Sequence, residues 1–192
     1  MTPKRLLQTL SLVVSLSLSA LPSFAADRYF AVSTGAWLPH QTSTLSTGLQ
    51  PITTSYSPGW SLGGVLGKSF DNGLRVESEL TYRQAEAKHS SEDQKNLSLM
   101  VNVWWEGKNS SPIAPYFGGG FGFGRAHVAS PGLIDNTGGG IAYQAGGGFI
   151  LSQNAFDLDF GYRYFGIKDT TSNIGSVDLE GSSWIIGVRK KF

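Results

Sequence analysis

Apolar and polar residues alternate one by one along several stretches of the chain. In residues 74–83 the even positions are mostly apolar and the odd positions are charged or polar, and residues 97–105 and 156–164 alternate in the same way. A period of two is typical of a β-strand whose two faces meet different surroundings, and no long stretch repeats at helical spacing. The pattern therefore predicts an all-β protein.

Further segments bring the number of predicted strands to eight. Residues 184, 186 and 188 (Trp, Ile, Val) lie opposite Ser183, Gly187 and Arg189, and the remaining strands are expected near 28–38, 60–70, 114–126 and 140–151. In 116–124, four glycines share one face and three phenylalanines the other. Strands of about 9–11 residues are long enough to cross a membrane when tilted.

The connections differ in length in a regular way. Asp71-Asn72-Gly73 is a tight hairpin turn, 152–154 is also short, and 106–113 is somewhat longer. The long connections, rich in Ser, Thr, Asn, Gly and Pro, are 39–59, 86–96, 127–139 and 168–181. Short turns on one side and long loops on the other are typical of an outer-membrane barrel, so we predict an eight-stranded antiparallel transmembrane β-barrel.

The polar face should line the interior of this barrel and the apolar face should meet lipid. The expected lumen charges are Arg75, Glu77, Glu79, Arg83, Asp157, Asp159 and Arg163. We interpret them as a structural salt-bridge network rather than a metal site, because nearby arginines would neutralise the carboxylates. Eight strands leave little interior space, so the aromatic side chains are expected outside, in a girdle of Trp37, Trp60, Trp105, Tyr116, Tyr162, Tyr164 and Trp184.

The N-terminus has the pattern of a cleaved signal peptide. Lys4 and Arg5 precede an uncharged stretch, 6–21, and small residues at 23 and 25 suit cleavage after Ala25. This predicts a signal peptide at 1–25 and a barrel domain at 26–192. Composition agrees with an exported barrel: the 192 residues include 25 glycines, no cysteine and only 15% charged residues. A formal charge of +1 argues against a nucleic-acid partner.

The C-terminal segment predicts how the barrel is assembled. Phe192 is aromatic, and Trp184, Ile186 and Val188 precede it at alternate positions. Outer-membrane barrels end in this way, and the assembly machinery reads the signal. Lys190 departs from the pattern, at a place where its side chain can reach the headgroups.

Several motifs together resemble the small OmpA-like outer-membrane barrels, in particular the surface-antigen and opacity-protein branch from Gram-negative bacteria. They are 115–122 (PYFGGGFG), 142–148 (AYQAGGG) and 158–164 (LDFGYRY), with Arg75-Val76-Glu77 and the terminal Phe192. The resemblance covers the mature chain and implies an eight-stranded barrel with both termini in the periplasm. Members include adhesins, surface antigens, envelope-stabilising proteins and small pores.

Three functions remain open at this stage. The first is a structural or surface-exposed antigen or adhesin-like role through four long extracellular loops, of which 42–55 is rich in hydroxyl groups. The second is a small passive channel, and the third a lipid-modifying enzyme, for which His127, Ser130 and Asp135 supply the residue types but no rigid support. We expect no enzyme activity, catalytic residue, metal or cofactor. Expected partners are outer-membrane lipid including lipopolysaccharide, the barrel-assembly machinery and host or envelope components, with the protein as a monomer.

Overall fold

A computed structural model describes residues 26–40, 56–86, 93–107, 111–128, 136–169 and 179–192. The predicted signal peptide, most of the first long connection, His89, Ser130 and Asp135 lie outside these residues. The strands are β1 (Ala26–Pro39), β2 (Gly59–Phe70), β3 (Leu74–Glu86), β4 (Asp93–Glu106), β5 (Ile113–Val128), β6 (Asn136–Ser152), β7 (Asp157–Asp169) and β8 (Leu179–Lys191).

The eight strands form one closed antiparallel barrel in which each strand pairs with its neighbours in sequence. The first and last strands close it, since Val32 is in register with Gly64 of β2 and with Val188 of β8. Closure leaves no sheet edge with unpaired backbone groups, which is the condition for a sheet to lie in hydrocarbon. The predicted fold is confirmed. Among the described residues, no helix is long and apolar enough to cross a membrane.

The two faces of the wall follow the alternation in the sequence. On β5, Phe117, Phe121 and Phe123 point outward and are 62%, 72% and 73% exposed, whereas Gly118, Gly120 and Gly122 face the lumen. On β3 the charged odd-numbered residues are buried inside the barrel. Apolar side chains exposed around the outside and charges within are the arrangement of a membrane barrel.

The short connections lie together at one end, which we call the turn end. Gly73 has a φ of 85°, which the Asp-Asn-Gly turn requires, and its carbonyl accepts a hydrogen bond from the Glu106 N–H at 2.8 Å. The connections 107–112 and 153–156 are at the same end. The long connections leave from the opposite end, which we call the loop end.

The expected girdle is wrong for two of its members. Trp37 is fully buried and Tyr116 is 2% exposed, and both side chains lie inside the barrel. Glycines on other strands make the room: a Cβ on Gly181 of the neighbouring β8 would collide with the Trp37 ring, and one on Gly161 of β7 with the Tyr116 hydroxyl. The lumen can therefore hold these large aromatic rings, because the glycines that face them have no side chain. Trp60, Trp105, Tyr162 and Trp184 do point outward and are 38–61% exposed.

Candidate functional site: the barrel lumen

At the turn end of the lumen, buried ion pairs form a connected layer, which we call the ionic layer. Glu106 accepts hydrogen bonds from Arg75 at 2.9 Å and from Arg189 at 3.0 Å. Arg189 also binds Asp157 through two nitrogens, at 2.7 and 2.9 Å. Both nitrogens bind the same oxygen, Oδ2, and charge-assisted hydrogen bonds of this kind are stronger than neutral ones. These ion pairs therefore link four strands across the barrel: β3 through Arg75, β4 through Glu106, β7 through Asp157 and β8 through Arg189.

Aromatic side chains complete this layer. Tyr29 donates a 2.5 Å hydrogen bond to Glu77, and Trp104 Nε1 donates one of 2.8 Å to the other oxygen of the same carboxylate. Arg75 lies 3.6 Å from Glu77 and 4.9 Å above the centre of the Tyr116 ring. Each polar tip reaches a charged partner while its ring fills space, which is how a buried Tyr or Trp is usually accommodated.

In the middle of the lumen, Glu79 is held by uncharged donors. Thr81 donates to one carboxylate oxygen at 2.7 Å, and the amides of Asn102 and Gln144 donate to the other at 2.8 and 3.0 Å. The cations electrostatically coupled to Glu79 are Arg163 and Arg83. A buried carboxylate needs such donors and cations because it has lost its water.

The two arginines of the middle lumen use aromatic faces as well as polar partners. Arg163 lies 4.0 Å from Asp159 and 3.9 Å from the centre of the Trp104 ring. Arg83 lies 3.8 Å from the centre of the Phe165 ring and donates to Ser98 at 2.9 Å. Guanidinium groups stack on rings in this way when desolvated.

At the loop end the lumen is filled by apolar side chains, which we call the apolar plug. Its largest members, Trp37 and Phe165, meet edge to face with centroids 6.1 Å apart. Met100 and both rings are fully buried. The plug consists of Trp37, Tyr56, Ala85, Met100, Ala126, Ala142, Phe165, Ile167 and Leu179.

A small cavity lies beside the ionic layer, toward the middle of the lumen. Its volume is about 30 Å³, and its lining includes Arg75 and Arg189 of the ionic layer and Glu79, Arg83 and Arg163 of the middle lumen. Each water needs at least ~10–15 Å³ of such space, so about two water molecules fit. This cavity can therefore hold trapped water but is too small to be part of a continuous water-filled channel.

The structure brings together some of the residues that the sequence pointed to and adds others. Arg75 pairs with Glu77, and Arg163 with Asp159, but the ion-pair partner of Asp157 is Arg189. Glu106 and Arg189 are missing from the predicted set. Alternation provides a signal for both, because Glu106 shares the inward parity of Asn102 and Trp104, and Arg189 that of Ser183.

The C-terminal residues singled out from the sequence lie on the outer wall. Trp184, Ile186 and Val188 are 61%, 47% and 47% exposed, and Phe192 follows the strand at 74%. The Phe192 N–H donates to the Arg28 carbonyl at 2.9 Å, so the terminus is fixed to the first strand. This is the seam where the barrel closes.

Catalytic and metal-binding groups were sought in the described part of the chain. It contains no cluster of three His, Asp or Glu residues placed to hold a metal ion. His40 Nε2 lies 3.1 Å from Ser182 Oγ on the outer wall, where Tyr162 also donates to this hydroxyl at 2.7 Å. Ser182 is only 2% exposed, and strand pairing takes up the nearby backbone N–H groups. This pair therefore lacks the access and the oxyanion site that a nucleophile requires.

Comparison with known proteins places this closed barrel in a family. Residues 11–192 match the family described as "Outer membrane protein beta-barrel domain". The chain belongs to that family, so it is a small eight-stranded outer-membrane barrel of Gram-negative type. A comparison with curated protein sequences finds no match.

Solved structures share the fold. The crystal structure of Neisserial surface protein A (NspA) is similar, with 23% identity, a TM-score of 0.63 and coverage of 88% of this chain and 99% of that one. OprG from Pseudomonas aeruginosa has 18% identity and a TM-score of 0.60, covering 88% and 97%. Ail, the attachment invasion locus protein of Yersinia pestis, has 19% identity and a TM-score of 0.50, covering 85% and 98%. At these identities the likeness concerns the fold.

Proposed function

We propose that this protein acts at the cell surface through its long extracellular connections, as a structural, antigen-like or adhesin-like barrel, and neither conducts solutes nor catalyses a reaction. The filled lumen carries the proposal: buried ion pairs occupy one end, a buried apolar plug occupies the other, and the cavity beside the ion pairs has a volume of only about 30 Å³. A barrel of this kind serves as a rigid membrane anchor. Binding surfaces are commonly placed on loops held by such a scaffold.

The composition of the long connections supports a contact role. Residues 42–55 contain Thr42, Ser43, Thr44, Ser46 and Thr47 and then Thr53, Thr54 and Ser55. Hydroxyl groups adapt their hydrogen bonds to many partners. The same fold occurs in a Neisserial protein named as a surface protein and in a Yersinia protein named for attachment and invasion, so it is compatible with this role.

The proposal includes a route to the membrane. The signal peptide would direct export, cleavage after Ala25 would release the mature chain, and the barrel-assembly machinery would then read Trp184, Ile186, Val188 and Phe192. Outer-membrane lipid, with lipopolysaccharide in the outer leaflet, would surround a monomer without cofactor, and host or envelope components would bind the loops. The Phe192–Arg28 hydrogen bond at the closing seam supports a role for the last strand in closure.

Conductance across a planar lipid bilayer tests the proposal against the small-channel alternative. Wild-type protein, shown to be folded by heat-modifiable mobility on a gel, should give no steady unitary openings at ±100 mV or less, because about two waters cannot carry ions through the lumen. The double variant Trp37→Ala, Arg75→Ala is the matched variant with an opened lumen, because it removes one large side chain from each end of the lumen. Steady openings of the wild type would overturn the proposal.

A further inference from the structure

Three basic side chains lie together on the outer wall at the turn end. Arg28 of β1 is in register with Lys68 of β2, so two cations stand directly opposite each other. Lys190 of β8 is in register with Phe30 and is therefore the diagonal neighbour of Arg28. Their outward direction follows from their parity with Phe30, Leu66 and Val188, which are 43%, 43% and 47% exposed. We call Arg28, Lys68 and Lys190 the basic triad.

This grouping is one-sided. On β3 to β7, the outward residues nearest the turn end carry no charge: Leu74, Val76, Val103, Trp105, Ile113, Pro115, Phe149, Leu151, Leu158 and Phe160. All the outward charges that the described strands have at this end are thus positive and fall on three adjacent strands. Basic side chains that only extend to the lipid headgroups would be expected all around the barrel, not on one side of it.

Electrostatics alone disfavours the arrangement. Like charges in directly opposed positions destabilise a strand pair. Of the acids in the same region, Asp27 lies 3.8 Å from Lys191, which it neutralises in part, and Asp71 belongs to the turn after Lys68. Even with Asp71 counted against Lys68, Arg28 and Lys190 leave positive charge on this side of the wall, which an external anion would balance.

We infer that the basic triad binds the headgroup of an anionic phospholipid, such as phosphatidylglycerol, in the membrane leaflet at the turn end. Short turns face the periplasm in outer-membrane barrels, so this is the periplasmic leaflet. The triad lies on the lipid-facing side of the wall, directly below exposed Phe30, Leu66 and Val188. A lipid can place its acyl chains on these side chains and its phosphate among the cations, which a soluble anion cannot do.

Native mass spectrometry of the folded barrel in detergent, titrated with phosphatidylglycerol or phosphatidylcholine, tests the inference. Wild-type protein should bind phosphatidylglycerol at least tenfold more tightly than phosphatidylcholine. A basic residue near anionic lipid contributes about a fivefold gain in affinity, so the triple variant Arg28→Gln, Lys68→Gln, Lys190→Gln should lose this preference. Glycerol 3-phosphate at equal concentration should not displace the lipid.

A matched control removes three outward cations from the loop end, with Lys95→Gln, Arg125→Gln and Lys168→Gln. This variant should keep the lipid preference of wild type. Equal loss in both triple variants, no preference in wild type, or displacement by glycerol 3-phosphate would each overturn the inference. If the triple variant does not fold, Arg28→Gln alone should weaken phosphatidylglycerol binding about fivefold, and an unchanged affinity would overturn the inference equally.

Discussion

The two ends of the lumen are filled by side chains of opposite character. At the turn end, the ionic layer joins Arg189 to Asp157 and Glu106 over distances of 2.7 to 3.0 Å. At the loop end, the apolar plug packs Trp37 against Phe165 without an ion pair between them. Charged contacts depend on direction and on every partner being present, whereas apolar contacts depend mainly on volume. The turn end should therefore respond to lost partners and the loop end to lost volume.

This difference suits the connections at each end. The turn end is held by short connections such as Asp71-Asn72-Gly73, so its backbone can keep directional ion pairs in place. The loop end carries the long connections, and an apolar plug tolerates small backbone shifts because its contacts depend on volume more than on direction. The comparison predicts substitution effects that differ in kind as well as in size.

The largest effect is expected when the ionic layer loses Arg189. Arg189→Met keeps much of the volume but removes the ion pair to Asp157 and leaves Glu106 paired with Arg75. Loss of one partner from a buried pair costs about 3–5 kcal/mol, so the free energy of unfolding should fall by about this amount. Urea unfolding in detergent micelles, followed by tryptophan fluorescence, measures it.

A control and a rescue separate charge from folding in general. Arg125→Met removes an outward, exposed arginine of β5 and should leave the unfolding midpoint unchanged. Arg189→Met combined with Asp157→Leu should regain part of the loss, since the uncompensated carboxylate is then gone. An Arg189→Met midpoint equal to that of wild type would show that the ionic layer does not stabilise the barrel.

A comparable loss at the loop end should follow from volume alone. Met100 is fully buried among the rings of the apolar plug. Met100→Ala leaves a cavity there and should lower the free energy of unfolding by about 2–5 kcal/mol. Leu97→Ala on the same strand is the control, because Leu97 is 48% exposed to detergent, which can fill the space. Equal losses for the two variants would contradict a packed plug.

Glycine at the lumen should matter more than glycine at the wall. A Cβ on Gly161 would collide with the Tyr116 hydroxyl, which donates to Asp159 at 2.7 Å, whereas a Cβ on Gly64 meets no atom within 4 Å. Overpacking costs about 1–3 kcal/mol, so Gly161→Ala should destabilise the barrel by about this amount. Gly64→Ala should change the urea midpoint little, and a similar loss in both would mean that the Tyr116 contact is unimportant.

Much of this architecture is predictable from the sequence because strands repeat every two residues. Parity separated lumen from wall on β3, where Arg75, Glu77 and Glu79 are buried. Trp37 and Tyr116 follow the parity of the inward-facing residues on their strands, so their aromatic character alone does not indicate a place in the girdle. The space that receives them comes from Gly181 and Gly161 on other strands, and contacts between strands are not visible in any single segment.

The partners within the site were less predictable than its location. Alternation indicates that Asp157 points inward, but not that Arg189 reaches it with two nitrogens. Glu106 ends β4, beside a turn, and a sequence pattern is least informative about such boundaries. Ion pairing depends on register and side-chain reach around a closed barrel, so it requires the three-dimensional structure.

The smallest expected effect comes from removing one methyl group, either in the apolar plug or on the lipid-facing wall. Ile167 is 3% exposed within the plug, whereas Ile186 is 47% exposed on the outside. Ile167→Val should lower the free energy of unfolding by about 0.5–1.5 kcal/mol, because neighbouring side chains cannot fully close the gap. Ile186→Val removes the same group where detergent or lipid can move in, so its effect should stay within about 0.5 kcal/mol. The urea midpoints of the two variants should be measured side by side. If Ile186→Val were the more destabilising, the comparison would be contradicted, because the stability of the loop end would then come from the wall and not from packing in the lumen.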